Sequence, residues 1–453
     1  MATIDFDAAS PVSRDIDSGV SIDAAPSTDA SGDSADASLD AMDAAAPAPS
    51  NDLWQGTLQM GTLYEERVAG VALDPSGNLY VAGETGDVLG NAGGNRTDGF
   101  LAKVSASGAV IWLRQFGTPR ADSVGGVAQS GDDGVVVVGS TDGVMDGVEA
   151  VGGTDIFLMR FDADGGRRWT RQFGTPWFDW GADVAVDARG DLYVTGGIDG
   201  GTSGREGIET DAFVARLDAD GGWIWMRAFG AAGRDVGGRI ALDAMGAVVV
   251  LGSLSRAVTE SPQSADGGVF VAWLGANGTL GWLRQFNASQ IQSGKGLAVD
   301  RAGGIHVAGI TYGNLRPAAD GADICYLKLD RDGGAGRAFR IVNDRLDFAE
   351  DVAVDSRGAV YLTGGTRGGL GNYFSAGATD VFLLKLVDDE NDWFQNGWLR
   401  QLGTTAGESG SRVVTGPGGA VFVAGVTGGV LGRQAYGSWD VFVAKYDADG
   451  GLH

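Results

Sequence analysis

The chain is built on a repeat of about 57 residues, and this repeat constrains the fold more than any other feature of the sequence. Aromatic residues recur at spacings of 58, 57, 56, 57, 57 and 59 residues: Trp54, Trp112, Trp169, Trp225, Trp282, Phe339 and Trp398. A repeat of this length is one supersecondary unit, which buries its apolar face only by stacking on its neighbours. The sequence therefore predicts seven stacked copies.

Each copy contains four short segments with the period of β-strands. The aromatic residue opens a stretch such as TRQFGT (170–175), and DVAVDARGDLYVTGG (183–197) then supplies two runs split by a glycine turn, which is typical of a hairpin. A loop of roughly a dozen residues leads to an alternating segment such as TDAFVARL (210–217), and a tight Asp/Gly turn leads to the next aromatic residue. Four antiparallel strands without a helical period predict a propeller blade.

The phase of the repeat predicts how the ring closes. After Gly450 only three residues remain, so the last copy lacks its fourth strand, while the strand near Trp54 has no three strands before it. The N-terminal strand is therefore expected to complete the last blade, which leaves no open sheet edge. We predict an all-β fold, a seven-bladed β-propeller over residues 53–453, with inner strands near 68–74, 124–130, 181–187, 237–243, 294–300, 349–355 and 410–416.

The charge of the chain excludes several classes of partner. With 33 Lys and Arg against 59 Asp and Glu, the formal net charge is −26, and no basic stripe interrupts it. Nucleic acids and anionic membranes would be repelled. No apolar run approaches the roughly 20 residues of a membrane helix. Residues 1–52 hold 11 Asp and one Arg, so we expect a disordered acidic tether there.

The repeated motifs resemble a known family. The combination W-x-R-Q-F-G-T, D-V-A-V-D-x-x-G-x-x-Y-V-T-G and T-D-x-F-x-x-K, which recurs over about 54–453, resembles the bacterial seven-bladed β-propeller (SBBP) repeat. The resemblance implies a cell-surface or secreted protein, in a family whose members mostly lack an assigned activity. The acidic stretch also resembles a lipoprotein tether. However, the chain as given shows no signal peptide, and no cysteine precedes Cys325 to carry a lipid.

The first candidate site is a repeated D-x-D-G motif. Its carboxylates are Asp162 and Asp164, Asp218 and Asp220, Asp330 and Asp332, and Asp447 and Asp449. Closely spaced carboxylates can hold Ca²⁺, the one cofactor that the sequence admits. The alternative is turn chemistry, because each copy directly precedes a strand and no third carboxylate completes a calcium loop.

The second candidate site is an acidic residue eight positions before the end of each predicted inner strand. The set comprises Glu66, Asp122, Asp179, Asp235, Asp347 and Glu408, with Gln292 in the remaining copy. These side chains could ring one mouth of the channel, where clustered negative charge would favour a metal or a basic ligand. Alternatively, each carboxylate accepts N–H bonds from its own loop.

The third candidate site is an aromatic cluster that breaks the repeat. Trp177, Phe178 and Trp180 flank Asp179, whereas the equivalent segments of the other copies lack such aromatics. Exposed aromatics beside carboxylates suit a sugar ring or a protein hot spot, and a packed plug between blades is the alternative. The variable loops are expected on the same face: 84–97, 140–154, 198–210, 253–267, 310–322, 365–379 and 426–438.

These features favour a binding protein over an enzyme. The leading hypothesis is a non-catalytic adhesion module whose loop-rich face binds a glycan or a protein at the cell surface. A carboxylate-based hydrolase or lyase acting on a polymer is one alternative, and an assembly scaffold or appendage subunit is another. His306 lies within a predicted strand without a nucleophile pattern, so we predict no catalytic residue.

Overall fold

The computed structural model describes most of the chain from residue 56 onwards. The described ranges are 56–86, 97–131, 134–145, 148, 151–200, 209–230, 233–255, 267–286, 291–311, 322–341, 345–370, 373–387, 397–432 and 434–453. Trp54 and the predicted tether at residues 1–52 lie outside them. None of the residues described forms a helix with the length and apolarity that a bilayer span requires.

The described residues form seven four-stranded antiparallel sheets, and each sheet is one blade. Within each blade, the strands are given from the inner strand to the outer strand. Blade 1 contains β2 (Glu66–Leu73), β3 (Leu79–Thr85), β4 (Asp98–Val104) and β5 (Val110–Phe116). Blade 2 contains β6 (Asp122–Gln129), β7 (Val135–Thr141), β8 (Asp155–Phe161) and β9 (Arg167–Phe173). Blade 3 contains β10 (Trp180–Val186), β11 (Leu192–Asp199), β12 (Thr210–Leu217) and β13 (Trp223–Phe229).

The remaining blades repeat this order. Blade 4 contains β14 (Val236–Leu242), β15 (Val248–Leu254), β16 (Gly268–Leu274) and β17 (Leu280–Phe286). Blade 5 contains β18 (Ser293–Val299), β19 (Ile305–Thr311), β20 (Asp323–Leu329) and β21 (Ala335–Ile341). Blade 6 contains β22 (Asp347–Val354), β23 (Val360–Thr366), β24 (Asp380–Leu386) and β25 (Trp398–Leu402). Blade 7 contains β26 (Glu408–Thr415), a 3-10 turn (Pro417–Gly419), β27 (Val421–Thr427), β28 (Asp440–Tyr446) and β1 (Thr57–Met60).

The two ends of the chain meet in blade 7. Strand β1 pairs antiparallel with β28, from Thr57 opposite Ala444 to Met60 opposite Val441. Blade 1 packs on blade 7 through one apolar cluster that includes Phe100 and Phe422. The prediction of a seven-bladed all-β propeller is therefore confirmed, with inner strands within two residues of the predicted bounds.

The core lies between blades. Strand β7 (VVVVGST) is buried at every residue, because each face of its sheet packs against a neighbouring blade. Seven apolar clusters result, and the first joins Tyr80 and Trp112 of blade 1 to Val137 and Phe157 of blade 2. This packing explains why the middle strands of each repeat are continuously apolar instead of alternating.

The recurring tryptophans of blades 1, 4 and 6 donate a hydrogen bond to the next blade, whereas the indole N–H groups of Trp169 and Trp225 have no such partner among the described residues. The Trp112 indole N–H donates to the carbonyl of Ala163 in blade 2 at 2.9 Å. Two residues later, the Arg114 guanidinium lies 5.6 Å from the Trp112 ring and donates to the carbonyl of Gly165 at 3.1 Å. The W-x-R part of the repeat thus holds the D-x-D-G turn of the next blade.

Phe339 is an exception to the predicted phase. In β21, Phe339 pairs with Tyr326, which lies three residues after Asp323, the aspartate at the T-D position of this copy. In blade 6, Trp398 pairs with Lys385, which lies five residues after the equivalent aspartate, Asp380. The equivalence of Phe339 with the tryptophans is therefore wrong by two residues. Because residues i and i+2 of a strand share a face, Phe339 still fills the gap between blades, stacked 5.0 Å from Tyr326.

Candidate binding face

The propeller has two faces of different composition. The loop-rich face carries the long loops between the second and third strands of each blade and the segments that cross to the next inner strand. The turn face carries the two hairpin turns of each blade. The main-chain N–H groups of Gly153 and Thr154 donate to the carbonyl of Trp177, at 2.8 and 3.2 Å. The aromatic cluster thus lies on the loop-rich face of blade 2, as the repeat predicts.

The six predicted acidic residues lie beneath this face, where they are almost fully buried. Their exposed fractions are at most 2%: Glu66, Asp122, Asp179, Asp235, Asp347 and Glu408. Each main-chain N–H donates across the blade junction, as Asp179 does to the carbonyl of Thr154 at 2.8 Å. The acidic residues therefore tie one blade to the next and do not present an open ring of charge.

The carboxylates of these residues accept bonds from their own loops. That of Asp179 accepts from the Thr175 main-chain N–H, from the Thr175 hydroxyl at 3.0 Å and from the Asp199 N–H at 2.8 Å. That of Glu408 likewise accepts from the N–H of Thr404, at 2.7 Å, and from the hydroxyl of Thr427, at 3.1 Å. This arrangement matches the loop-anchoring alternative.

Burial changes the acidity of the same groups. It raises the pKa of Asp122, Asp179 and Asp347 to about 6, although hydrogen bonds to threonine side chains and main-chain N–H groups oppose the rise. Burial also raises the pKa of Glu66. A second carboxylate adds to the rise in each case, since it disfavours a second negative charge nearby.

That second carboxylate belongs to the T-D motif, which sequence reasoning did not single out as a site. Asp155, at the start of β8, faces Asp179 and accepts 2.8 Å bonds from the Gln172 side-chain amide and the Val151 N–H. The equivalent partner of Asp122 is Asp98, which accepts from Gln115 at 2.8 Å. The recurrence of Asp in T-D and of Gln in R-Q-F was the signal that could have revealed this arrangement.

The D-x-D-G motifs form the turns between third and fourth strands. One oxygen of Asp162 accepts the N–H bonds of Asp164 and Gly166, at 3.0 and 2.7 Å. The first carboxylates of the other copies make the same pair of bonds: Asp218 with Asp220 and Gly222, Asp330 with Asp332 and Gly334, and Asp447 with Asp449 and Gly451. Among the residues described, no three His, Cys, Asp or Glu side chains are grouped to hold a metal ion.

The predicted aromatic cluster is only partly available for binding. Trp180 packs against Gly197, and the Arg234 guanidinium lies 4.7 Å from the centre of the Trp180 ring. Trp177 packs against Gly200. Phe178 is 59% exposed. Two rings therefore act as interblade packing, as the plug alternative proposes, and one ring faces solvent.

A larger exposed apolar surface lies on the same face of blades 6, 7 and 1, and we call it the aromatic arc. Phe374 is 93% exposed and Leu63 is 80% exposed. Exposed apolar residues concentrated on one face are typical of an interaction surface. The members of the arc are Leu63, Tyr64, Tyr373, Phe374, Val430 and Tyr436.

Hydrogen bonds join the three segments that carry the arc. The loop of blade 6 ends with a bond from the Ala378 N–H to the carbonyl of Ala406, and the loop of blade 7 begins with one from Gly428 to Gly407. That loop ends where the Glu66 N–H donates to the carbonyl of Trp439. The segments that carry the arc are therefore held together across two blade junctions.

The channel carries a charged layer that sequence reasoning also missed. Asp183, Arg239, Asp351 and Arg412 occupy one position of four inner strands, directly after a β-bulge. Burial and the nearby Arg239 lower the pKa of Arg412 to about 10, while the two aspartates oppose this change. Asp351 in turn accepts the Val413 N–H at 2.9 Å.

The turn face has a cavity of about 400 Å³ near the channel, lined in part by Asp300, Arg301 and Asp355. Its carboxylates are already engaged: Asp355 accepts two N–H bonds of its turn, and so does Asp300. His306 is 1% exposed and bridges Asp300 and the Tyr326 hydroxyl, at 3.0 and 2.6 Å. This histidine is part of the core.

Seven four-stranded blades in a ring define the class: the protein is a seven-bladed β-propeller. The model of the SBBP beta-propeller repeat matches residues 168–201 and 281–316. Two segments of the chain therefore match this repeat. No curated protein matches the chain.

Several solved structures resemble the chain at low sequence identity. The polysaccharide lyase Uly1 is 9% identical with a TM-score of 0.47, over 88% of this chain and all of that chain. YCF48 bound to D1 peptide is 12% identical with a TM-score of 0.45, over 88% of this chain and 99% of that chain. The Pan2 WD40 domain of Neurospora crassa is 8% identical with a TM-score of 0.47, over 86% of this chain and 97% of that chain.

Proposed function

We propose that the protein is a non-catalytic binding module, at the cell surface or secreted, whose loop-rich face binds a glycan or a protein. The aromatic arc carries this proposal, because six large apolar side chains are exposed on one face of a rigid disc. Aromatic side chains contribute much of the binding energy at recognition surfaces because they bury a large area at low entropic cost.

The composition of the arc supports a recognition surface. Its loops at 367–378 and 428–438 each contain one arginine and no acidic residue, in a chain of net charge −26. Glycine is the commonest residue in these loops, and serine, asparagine and tyrosine add adaptable hydrogen bonding and rigid rings. Phe178 extends the exposed apolar surface of the same face to blade 2.

The enzymatic alternative receives no support from the predicted acidic residues. A glycosidase places two carboxyl groups on either side of a bound sugar. The six acidic residues of the blade junctions are at most 2% exposed, and the D-x-D-G carboxylates hold turns. Neither set presents such a pair to a polymer.

Binding through the arc can be tested with the full chain immobilised. We expect specific retention of a component from native envelope and matrix extract, or of a member of a glycan panel. The variant Tyr64→Ala/Phe374→Ala/Tyr436→Ala should lose retention at least tenfold. Ile111→Ala/Ile224→Ala is the matched control, because these two side chains are each 46% exposed on the outer strands of blades 1 and 3.

The two variants distinguish the arc from exposed apolar area in general. Equal retention by the triple variant and the wild type would contradict the proposal. Equal loss in both variants would mean that retention is non-specific. The predicted cluster residues Trp177 and Trp180 offer a further comparison, because replacing them should disturb packing more than binding.

A further inference from the structure

The T-D aspartate and the acidic residue of the next inner strand face each other beneath the loop-rich face, and we call each such couple a carboxylate pair. A Cβ atom added to Gly174 would lie 2.5 Å from Asp179 Oδ2 and 2.9 Å from Asp155 Oδ1. One added to Gly117 would lie 2.7 Å from an oxygen of Asp122 and 2.7 Å from one of Asp98. The six pairs are Asp98/Asp122, Asp155/Asp179, Asp211/Asp235, Asp323/Asp347, Asp380/Glu408 and Asp440/Glu66.

Several oxygens that face these pairs have no hydrogen-bond partner among the described residues. They include Asp155 Oδ1, Asp380 Oδ1 and Glu66 Oε2, on side chains that are at most 2% exposed. Asp155 Oδ1 and Glu66 Oε2 are the oxygens that lie, with an oxygen of the partner acid, beside Gly174 and Gly61. A buried carboxylate oxygen without a donor is costly, so a donor must come from the pair itself.

The hydrogen bonds that a pair already accepts leave room for a proton between the two carboxyl groups but not for a metal ion. Asp155 Oδ2 already accepts two N–H bonds, and both oxygens of Asp179 accept bonds from Thr175. Ca²⁺ needs six to eight oxygen ligands, and the pair offers one oxygen that is not engaged. Two facing carboxyl groups that share one proton carry a single negative charge and satisfy that oxygen.

The groups around the pairs are mainly uncharged. Around Asp155/Asp179 they are Gln172, Thr175 and main-chain N–H groups, and around Asp440/Glu66 they are Gln59, Thr62 and Thr85. Asp323/Asp347 differs, because the Arg340 guanidinium donates to Asp323 at 2.7 Å. A proton is therefore the main source of neutralisation in the first two pairs.

One junction of the ring lacks the whole arrangement. Between blades 4 and 5, Gly268 replaces the T-D aspartate and Gln292 replaces the inner acid. The glycine beside the pair is also replaced, by Asn287, in the sequence of the same copy. The two acids are thus lost together, whereas at the Asp323/Asp347 pair Val342 replaces the glycine and both acids are kept.

We propose that the Asp98/Asp122, Asp155/Asp179 and Asp440/Glu66 pairs each share one proton, so that acid–carboxylate hydrogen bonds join successive blades and weaken as the pH rises. The proton binds on folding from solvent, and the pair as a whole keeps one negative charge. A proton held more tightly in the folded than in the unfolded state stabilises the fold below the unfolded pKa, and this stabilisation is lost as the pH rises through the folded value of about 6.

The test compares the pH dependence of thermal unfolding in the full chain. For the wild type, we expect the Tm to fall from about pH 4 to about pH 6 and to level off above pH 6, because only the folded state holds the proton between these two values. Asp155→Asn gives the pair a permanent N–H donor, so its Tm should exceed that of the wild type by about 1–2 °C at pH 8 and not at pH 4. Asp164→Asn removes the same charge from an exposed turn and should shift the Tm equally at both pH values.

A spectroscopic measurement keeps the proposal testable if Asp155→Asn fails to fold. Infrared difference spectra of the wild type at pH 5.5 should show protonated buried carboxyl groups that titrate near pH 6. Absence of this band would overturn the proposal. It would also be overturned if Ca²⁺ raised the Tm at pH 8 and EDTA reversed the rise, because the pairs would then be cation sites.

Discussion

The turn face and the loop-rich face use the same repeat in different ways. On the turn face the contacts recur: the Trp398 indole donates to Ala448 at 3.0 Å and Arg400 donates to Gly450 at 2.6 Å, as Trp112 and Arg114 do in blade 1. On the loop-rich face the carboxylate pairs recur below the surface, whereas the exposed residues change from blade to blade. The repeated residues therefore build the ring, and the departures from the repeat define the binding surface.

The largest expected effect is the loss of a recurring tryptophan. Trp112→Ala removes a ring that is 6% exposed, its bond to Ala163 and its contact with Arg114, so unfolding should become easier by about 3–5 kcal/mol. Urea denaturation measures this change. The neighbouring Ile111→Ala, at an exposed site, should stay within about 0.5 kcal/mol of the wild type, and an equal loss in both would break the comparison.

The next effect concerns the glycine beside a carboxylate pair. Gly174→Ala places a Cβ 2.5 Å from Asp179 Oδ2, which forces the pair apart and should cost about 1–3 kcal/mol in unfolding free energy. Gly131→Ala is the control, since a Cβ there meets no atom within 4 Å. If the two alanine variants unfold at the same denaturant concentration, the glycine is not required by the pair.

A third prediction concerns the channel and depends on pH. Burial raises the pKa of Asp351, and the nearby Arg412 guanidinium opposes part of this rise. Arg412→Gln should raise that pKa further, so the variant should lose about 1–2 kcal/mol at pH 8 and less at pH 5, where Asp351 takes up a proton more readily. Denaturation at the two pH values measures the difference. A loss that is independent of pH would show that Arg412 acts by packing alone.

The smallest effect on stability is expected in the arc. Phe374 is 93% exposed, so Phe374→Ser should change the unfolding free energy by no more than about 0.5 kcal/mol. Its effect should appear in binding, as a severalfold loss of retention. A destabilisation comparable with that of Trp112→Ala would mean that the two faces are not distinct in their roles.

The sequence was sufficient for the ring because the ring depends on local periodicity. The position of each inner strand and the partner of β1 follow from the phase of the repeat. The carboxylate pairs required more, since Asp155 and Asp179 belong to successive blades and meet only when the junction forms. The sequence shows both acids but not the distance between them.

The binding surface was the least predictable part. Trp180 is a conspicuous aromatic in the sequence, yet Gly197 and Arg234 cover it in the fold. Tyr64 and Tyr436 lie near opposite ends of the chain and come together because β1 joins blade 7. Exposure depends on these long-range contacts, which the composition of a loop does not report.

The most direct test of the central account is hydrogen–deuterium exchange of the full chain with and without the component retained in the binding experiment. We predict protection at residues 61–66, 373–378 and 428–438, where the arc lies, with no change in the D-x-D-G turns. Protection centred on the turn face, at residues 162–166 and 218–222 or around the cavity at 299–301 and 354–356, would contradict it.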